Sequence, residues 1–464
     1  MRPAEQPRIC ARRFHLLHVL RYFRYGLLLC LVPIVRALLA LDVHAVFAAL
    51  YQDALILALT AAGALALWRT TSLSLENGVL CASSGLFFKT RRVYAASSIA
   101  AIEIARPVYC RLFGASHVTI HPKNLRRGAR LRLYLSRSGA EALADALMPA
   151  RQDTSLFAPT GFERLNFVVL SANVLTGCAF AVMAARHLED VFDDFHHLAA
   201  ENLSRLTALA ARWLPAGLAA LTALGFCIAA ITVLYAFFRT FGFSVCRNGD
   251  VLIARGGLLS KTERRIRVSC VTLCEVRVTP AARLLRRCPV YVRAGSFNGS
   301  DIPLMLCRDG AEDSVQMLLP AFRMPPMPAP SAQRMPLPFL WKSAALLALF
   351  LGMTGVAFAS ERALLPVPLL GAALAFASLL VSLEGVRREG FCKNKNRSLS
   401  ACYTKRFTRH DVCILTSDVS YSIWETPFGV SAGLCHLTAH LPCAARVRVR
   451  AVPTLSAMEI PFTL

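Results

Sequence analysis

Acidic residues are scarce in this chain. There are 28 Asp and Glu against 52 Lys and Arg over 464 residues, a formal net charge of +24, and only 17% of all residues are charged. A water-soluble chain of this length needs far more polar surface, so this composition is unusual for a soluble globular fold. Catalytic signatures are missing too: no phosphate loop, dinucleotide fingerprint, His-Glu-x-x-His or Gly-x-Ser-x-Gly is present. The 16 cysteines form no Cys-x-x-Cys pair, and most fall in apolar runs or expected strands, where they read as small hydrophobes. No cofactor is expected, and the expected reading is non-enzymatic.

What the chain has instead is grease: 55% hydrophobic residues and a mean hydropathy of +0.49. Six apolar runs come as three pairs, Gly26 to Leu41 with Ala48 to Trp68, Phe167 to Ala185 with Leu214 to Phe238, and Phe339 to Ala359 with Leu364 to Leu383. Most approach the ~20 residues that cross a hydrocarbon core. Positive charge collects outside the pairs. Residues 1–24 carry six basic against one acidic residue, 69–165 carry 14 against six, 239–338 carry 15 against seven, and 384–464 carry 11 against six. The turns inside the pairs are neutral or acidic, as with Asp190, Asp193 and Asp194. The positive-inside rule then puts both termini and every polar segment in the cytoplasm. No secretory signal is expected, since six arginines precede the first run and no small-residue cleavage site follows it.

The polar segments repeat one another. Asn77-Gly78 recurs as Asn248-Gly249, and Gly85 to Arg92 (GLFFKTRR) as Gly257 to Arg264 (GLLSKTER). Ser138 to Ala150 recurs as Asp309 to Ala321, each read as a helix with capping-box spacing (Ser138 and Glu141, Asp309 and Glu312) and a terminating proline. A more diverged third copy is read from Tyr403 to Arg406 against Phe87 to Thr90, and from Pro427 to Ser431 against Leu112 to Ser116; its closing helix over Thr454 to Leu464 is doubtful. In the first copy, alternation predicts strands at Ser72–Glu76, Val79–Ser83, Lys89–Tyr94, Ile99–Arg106, Val118–His121 and Leu131–Leu135, with a brief helix near Val108–Phe113. Such a segment suits a small antiparallel barrel or bent sandwich closed by a helix, the pleckstrin-homology shape.

With those motifs in place, the chain resembles the bacterial PH-domain membrane proteins of the YdbS/YdbT type, and its three copies resemble the longer, YdbT-like members. The resemblance implies an α+β membrane protein with three tandem repeats, each a transmembrane helical hairpin followed by a small PH-like antiparallel β-barrel capped by a helix. Boundaries are expected at 14–68, 160–238 and 339–383 for the hairpins, 69–155, 239–323 and 384–464 for the PH-like domains, and 324–338 for a Pro- and Met-rich linker. It also implies a multi-pass bacterial plasma-membrane scaffold or adaptor that binds anionic membrane lipids or a partner, such as another membrane protein of the same family. Envelope stress or resistance to membrane-active peptides is the implied setting. The alternative is a transporter or export component using the six-helix bundle as a path.

Candidate contacts are basic: Lys89, Arg91 and Arg92 in the first copy, Lys261, Arg264, Arg265 and Arg267 in the second, Lys405, Arg406 and Arg409 in the third. Beside a bilayer such a rim meets anionic headgroups; the competing reading is that these charges only fix topology and solubility. A second cluster, Lys123, Arg126, Arg127, Arg130 and Arg132, lacks the interleaved aromatics of a nucleic-acid surface, so no nucleic acid is expected. His436 and His440, and likewise His117 and His121, have metal-like spacing, but on a strand that spacing is ~13 Å, too far for one ion, and no metal is expected. Arg36 inside the first run is expected to reach the headgroups or pair with Asp53, and Ser171, Asn173 and Thr176 to join helices by hydrogen bonds.

Overall fold

The computed structural model describes residues 9–12, 14–19, 43–86, 88–123, 130–149, 154–172, 195–212, 216–299, 301–324, 337–360, 365–393, 398–405, 408–415, 419–425, 427–431, 433–441 and 446–454. The first apolar run lies outside them, as do Arg36, Asn173, Thr176 and most of the third run. Four helices among the described residues are long and apolar enough to cross a membrane, over Tyr51–Arg69, Thr222–Thr240, Leu340–Ser360 and Val367–Gly385. They present most of their side chains outward, which suits hydrocarbon as the surrounding solvent.

Three of these four apolar helices lead straight into strands, and Leu340–Ser360 is followed by the fourth helix. After β1 (Ile9–Arg12) and α1 (Val43–Arg69) the first block runs β2 (Ser72–Glu76), β3 (Val79–Ser84), β4 (Thr90–Ala95), β5 (Ile99–Pro107), α2 (Val108–Leu112), β6 (Ala115–Pro122), β7 (Leu131–Ser136) and α3 (Arg137–Leu147). Then come β8 (Thr154–Phe157), α4 (Gly161–Ser171), α5 (Phe195–Ala211) and α6 (Ala216–Thr240). The second block repeats the order: β9 (Ser244–Asn248), β10 (Val251–Gly256), β11 (Ser260–Arg267), β12 (Val271–Val278), α7 (Pro280–Leu285), β13 (Cys288–Ala294), β14 (Phe297–Asn298), β15 (Met305–Cys307) and α8 (Glu312–Leu318). Helices α9 (Leu337–Ser360) and α10 (Pro366–Arg388) precede β16 (Gly390–Lys393), β17 (Leu399–Lys405), β18 (Thr408–Ile414), β19 (Ser420–Trp424), α11 (Pro427–Ser431), β20 (Leu434–His440) and β21 (Arg446–Pro453).

The strands expected in the first block are there, within a few residues at their ends. Two details differ. Asn77 and Gly78 both have positive φ and form the β2–β3 turn, but in the second block Asn248 still pairs with Val251 and the turn is Gly249-Asp250. The structural offset is therefore 172, and the matching Asn-Gly pair sits one residue out of register. In the third block α11 and β20 stand where α2 and β6 stand in the first. Ser420 pairs with His440 as Ala101 pairs with His121, an offset of 319 that displaces the expected match of Pro427–Ser431 by four residues. The caps differ too. Ser136, not Ser138, takes the Gly139 N–H at the start of α3, and Asp309 makes no cap: it is spent on Arg409. The closing helix expected over Thr454–Leu464 falls beyond the described residues, apart from Thr454.

The blocks are not separate barrels. Sheet one is β1-β2-β3-β4; the next is β7-β6-β5-β11-β10-β9-β8, so the second half of block one and the first half of block two are one sheet. A third sheet, β14-β13-β12-β18-β17-β16, joins blocks two and three in the same way, and β19-β20-β21 ends the series. At the first seam β5 and β11 pair antiparallel from Ser260↔Pro107 to Ile266↔Ala101, and at the second β12 and β18 from Leu273↔Ile414 to Val278↔Arg409. Alternating side chains serve different blocks: Ile102 and Ile104 enter the first core, whereas Ala101 and Ile266 enter the second. Three large cores result among the described residues, the second containing Cys270, Cys274, Cys288, Cys307 and Cys413 as buried thiols, with a small fourth cluster of Leu17, Cys110 and Ala115. Burial pushes Cys288 and Cys307 up to about 12, so they pack as neutral apolar groups.

Candidate functional site: basic hairpin tips and charged seams

The hairpin after the first strand pair carries the candidate cations, and its tip is pinned to the end of an apolar helix. The N–H groups of Gly257 and Leu258 donate to the carbonyls of Phe241 and Phe238 at the C-terminal end of α6, both at 2.8 Å. Gly257 has φ +102, and a Cβ there would lie 2.1 Å from the Ser260 carbonyl oxygen; Gly85 has φ +128 with the Phe88 carbonyl at 2.0 Å. Only glycine fits either position, so both blocks fold the same tight tip. Around these tips Leu86, Phe88, Leu258 and Leu259 are exposed, Phe88 by 89%. Lys89 and Lys261 follow immediately, both exposed. In the third block Thr404 donates its N–H to Glu389 just after α10, beside exposed Lys405. Arg164 at the start of α4 lies over the Phe241 ring at 4.4 Å, adding another cation at the same helix end.

The remaining expected contacts divide sharply. Arg91 and Arg92 are exposed on β4, with Arg406 outside the described residues. Arg264, Arg265 and Arg409 are buried at 9%, 3% and 7% exposure, and belong to the seams rather than to a rim. Arg264 pairs with Glu103 across the first seam at 2.9 Å. Arg265 reaches Asp145 at 2.6 Å and the Met148 carbonyl at 2.7 Å, both in block one. Half-buried Arg267 donates to the Ser97 and Leu147 carbonyls. Arg409 pairs with Asp309 at 2.6 Å and Asp411 at 2.9 Å, crossing the second seam. The reason is topological: β11 and β18 have a neighbouring block beside them and β4 has none, so equivalent positions are covered in two blocks and open in one.

Each seam hides a carboxylate at the same place. Glu103 and Glu275 are equivalent at offset 172. Burial would raise both, but for Glu103 the Arg264 charge and hydrogen bond prevail and hold it below the usual carboxylate range. At Glu275 burial is likewise overcome, here by the 2.6 Å contact with His410 Nδ1 and the Arg277 charge, leaving it strongly acidic. Sequence periodicity could not mark these acids as partners of residues more than 100 positions away.

A cleft of about 360 Å³ opens on the first seam, lined by His117, His121, Arg130, Arg132, Arg264 and Glu103 among others. Arg130 donates across it to the Ser296 carbonyl at 2.7 Å, and Lys123 stands exposed nearby in sequence, while Arg126 and Arg127 lie outside the described residues. His121 is driven down to about 4, first by burial and then by Arg130, against a raising contribution from Glu103. His117 and His121 lie on β6, and His436 and His440 at the equivalent places on β20, so neither pair folds back on itself. Among the described residues no cluster of three metal-ligating side chains occurs.

Strand order, hairpin geometry and closing helices define PH-like units set on apolar helices. The family model described as bacterial PH domain matches residues 19–151 and 203–319, more than half of the chain, and the protein belongs to that family. Neither the curated proteins nor the solved structures yielded a match.

Proposed function

We infer that this protein is a non-enzymatic membrane scaffold whose PH-like units are held on the cytoplasmic face of a bacterial plasma membrane and touch anionic lipid headgroups through their first hairpins. Residues 384–464 form the third, diverged copy in this reading, and the six apolar runs form three transmembrane hairpins. The observation that carries it is the hydrogen-bonded docking of the Gly257-Leu258 tip on the end of α6, with exposed leucines at the tip and Lys261 directly behind. Such a tip buries apolar side chains at the acyl boundary and leaves its cation among the headgroups, each cation contributing ~1 kcal/mol near an anionic surface. Lys89, Lys261 and Lys405 are the principal contacts, with Arg91 and Arg92 beside the first. Envelope stress or resistance to membrane-active peptides is the physiological setting the family resemblance favours.

The test uses the full chain in nanodiscs of neutral lipid or of mixed neutral and anionic lipid, followed by hydrogen exchange at residues 85–92 and 257–264. Anionic lipid is expected to slow exchange several-fold at both tips, and Lys89→Glu with Lys261→Glu to abolish the difference. Equal exchange in the two lipids overturns the lipid reading.

A further inference from the structure

Two edges of the kind that forms the seams have no second partner among the described residues. Within the chain each block hands its β5-type strand to the next block's β11-type strand: β5 to β11, then β12 to β18. Among the described residues no block precedes block one, and β4, the equivalent of β11 and β18, pairs only with β3. No block follows block three among the described residues either, and there β19, the equivalent of β5 and β12, pairs only with β20. Unpaired edges of this kind are normally blunted or covered, because their free N–H and C=O groups template a further strand. The opposite ends of sheets one and two are covered by β1 and β8.

The two edges match each other. Transferring the first seam's register through the offsets of 172 and 319 sets Ser420 opposite Tyr94, Ser422 opposite Arg92, Trp424 opposite Thr90 and Glu425 opposite Lys89. That last pair joins an exposed acid to an exposed base. The core alternation agrees too: Tyr94 packs on its own block's core as Ile266 does, and Tyr421 and Ile423 pack on theirs as Ile102 and Ile104 do. The two edges also expose apolar area, with Val93 at 56% and Trp424 at 62%. Among the described residues no other strand pairs with either edge.

We propose that β19 of one molecule pairs antiparallel with β4 of a second copy, making a third seam and joining the chains head to tail. The occupant is another copy because the two complementary edges sit on one chain and the joint continues two interfaces already built within it. A heterologous joint of this sort closes into a ring or runs on as a filament, according to whether its rotation closes. Both alternatives keep every block on the same side of the membrane when the rotation axis is the membrane normal. The inference goes beyond lipid contact and does not depend on it.

The test is made in membranes containing two differently tagged full-length chains, one with Arg92→Cys and the other with Ser422→Cys, treated with an oxidant or a short bifunctional maleimide. A mixed-tag dimer that needs both substitutions is expected, at least several-fold above either single variant and above the pairing of Arg92→Cys with Asn298→Cys. Placing both cysteines on one chain should give a ladder of higher species. Val93→Lys, which puts a charge into the joint and leaves the hairpin tip intact, should reduce the assembled fraction several-fold by native mass spectrometry in nanodiscs. The proposal is overturned if the wild-type chain is monomeric there, if the mixed dimer forms no more than with Asn298→Cys, or if residue 422 crosslinks only to a different protein. Loss of lipid-dependent exchange at the tips with the dimer intact would sink the headgroup reading and spare this one.

Discussion

At the scale of single residues, the seams turn on a few buried charges whose partners lie far along the chain. Glu275 is 2% exposed and meets Arg277, Arg293 and His410. Glu275→Gln leaves that positive group without its counter-charge, an error that costs about 3–5 kcal/mol when a buried pair is broken from one side. Thermal unfolding of the detergent-solubilised chain should show a fall of that order, and a change under about 1 kcal/mol would refute the assignment. His121 gives a pH signature. Its pKa falls from 6.5 to about 4 on folding, so between those values the unfolded chain binds more protons, and stability rises with pH across the window. Acidification from neutral pH through about 4 therefore removes up to roughly 3 kcal/mol at this site. His436, lowered by burial and by Arg448 and Arg450, acts with the same sign. The melting temperature of His121→Gln should vary less with pH in that interval than that of the parent, and parallel profiles would show that His121 does not titrate this way. Basic residues were legible one by one in the sequence. Whether each was open or buried was not, since Lys261 and Arg264 stand three residues apart on one strand with opposite fates.

At the scale of elements, strands and turns followed closely from local pattern. Apolar alternation and turn residues act over a few positions, which is why β2 to β7 could be read from sequence to within about three residues. Where two local solutions were nearly equal, reading failed: the Asn-Gly pair forms the turn in block one but is displaced by one in block two, where Gly249-Asp250 serves. Ser136 likewise displaced Ser138 as the cap, because β7 runs directly into α3 and leaves the earlier serine at the junction. The glycine at each hairpin tip has no such latitude. Gly257→Ala forces a Cβ against the Ser260 carbonyl at positive φ, a strain of about 1–3 kcal/mol. Faster hydrogen exchange at Leu258 and Leu259 is expected in that variant, along with weaker discrimination between neutral and anionic nanodiscs. An unchanged tip would mean the close approach is relieved without cost.

At the scale of the whole molecule, the shared sheets make the blocks interdependent. A fragment ending after block one would expose the β5 edge, leave Ala100 and Ala101 without the second core they pack into and remove Val251 and Ile253 from the first, so residues 69–155 expressed alone should aggregate or melt well below the full chain. Light scattering and circular dichroism on that fragment check this, and a monomeric, cooperatively folded fragment would show that the seam is dispensable. The proposed cytoplasmic orientation is tested by cysteine labelling in intact cells: on that reading Lys261→Cys and Lys123→Cys should be reached only after permeabilisation, and labelling without it would overturn the orientation.

Composition and short-range pattern by themselves determined that the chain carries membrane-length apolar helices, that basic strand-rich segments recur between them, and what the strands and hairpins of those segments are. These depend on hydropathy, spacing and turn chemistry, all properties of neighbours in sequence. Only the tertiary structure decided that adjoining blocks share sheets, that Arg264, Arg265, Arg267 and Arg409 among the candidate cations are consumed in holding those sheets together, and that β4 and β19 lack a second partner among the described residues. Strand edges are chemically alike along their backbones, so which edges meet is set by the placement of whole blocks.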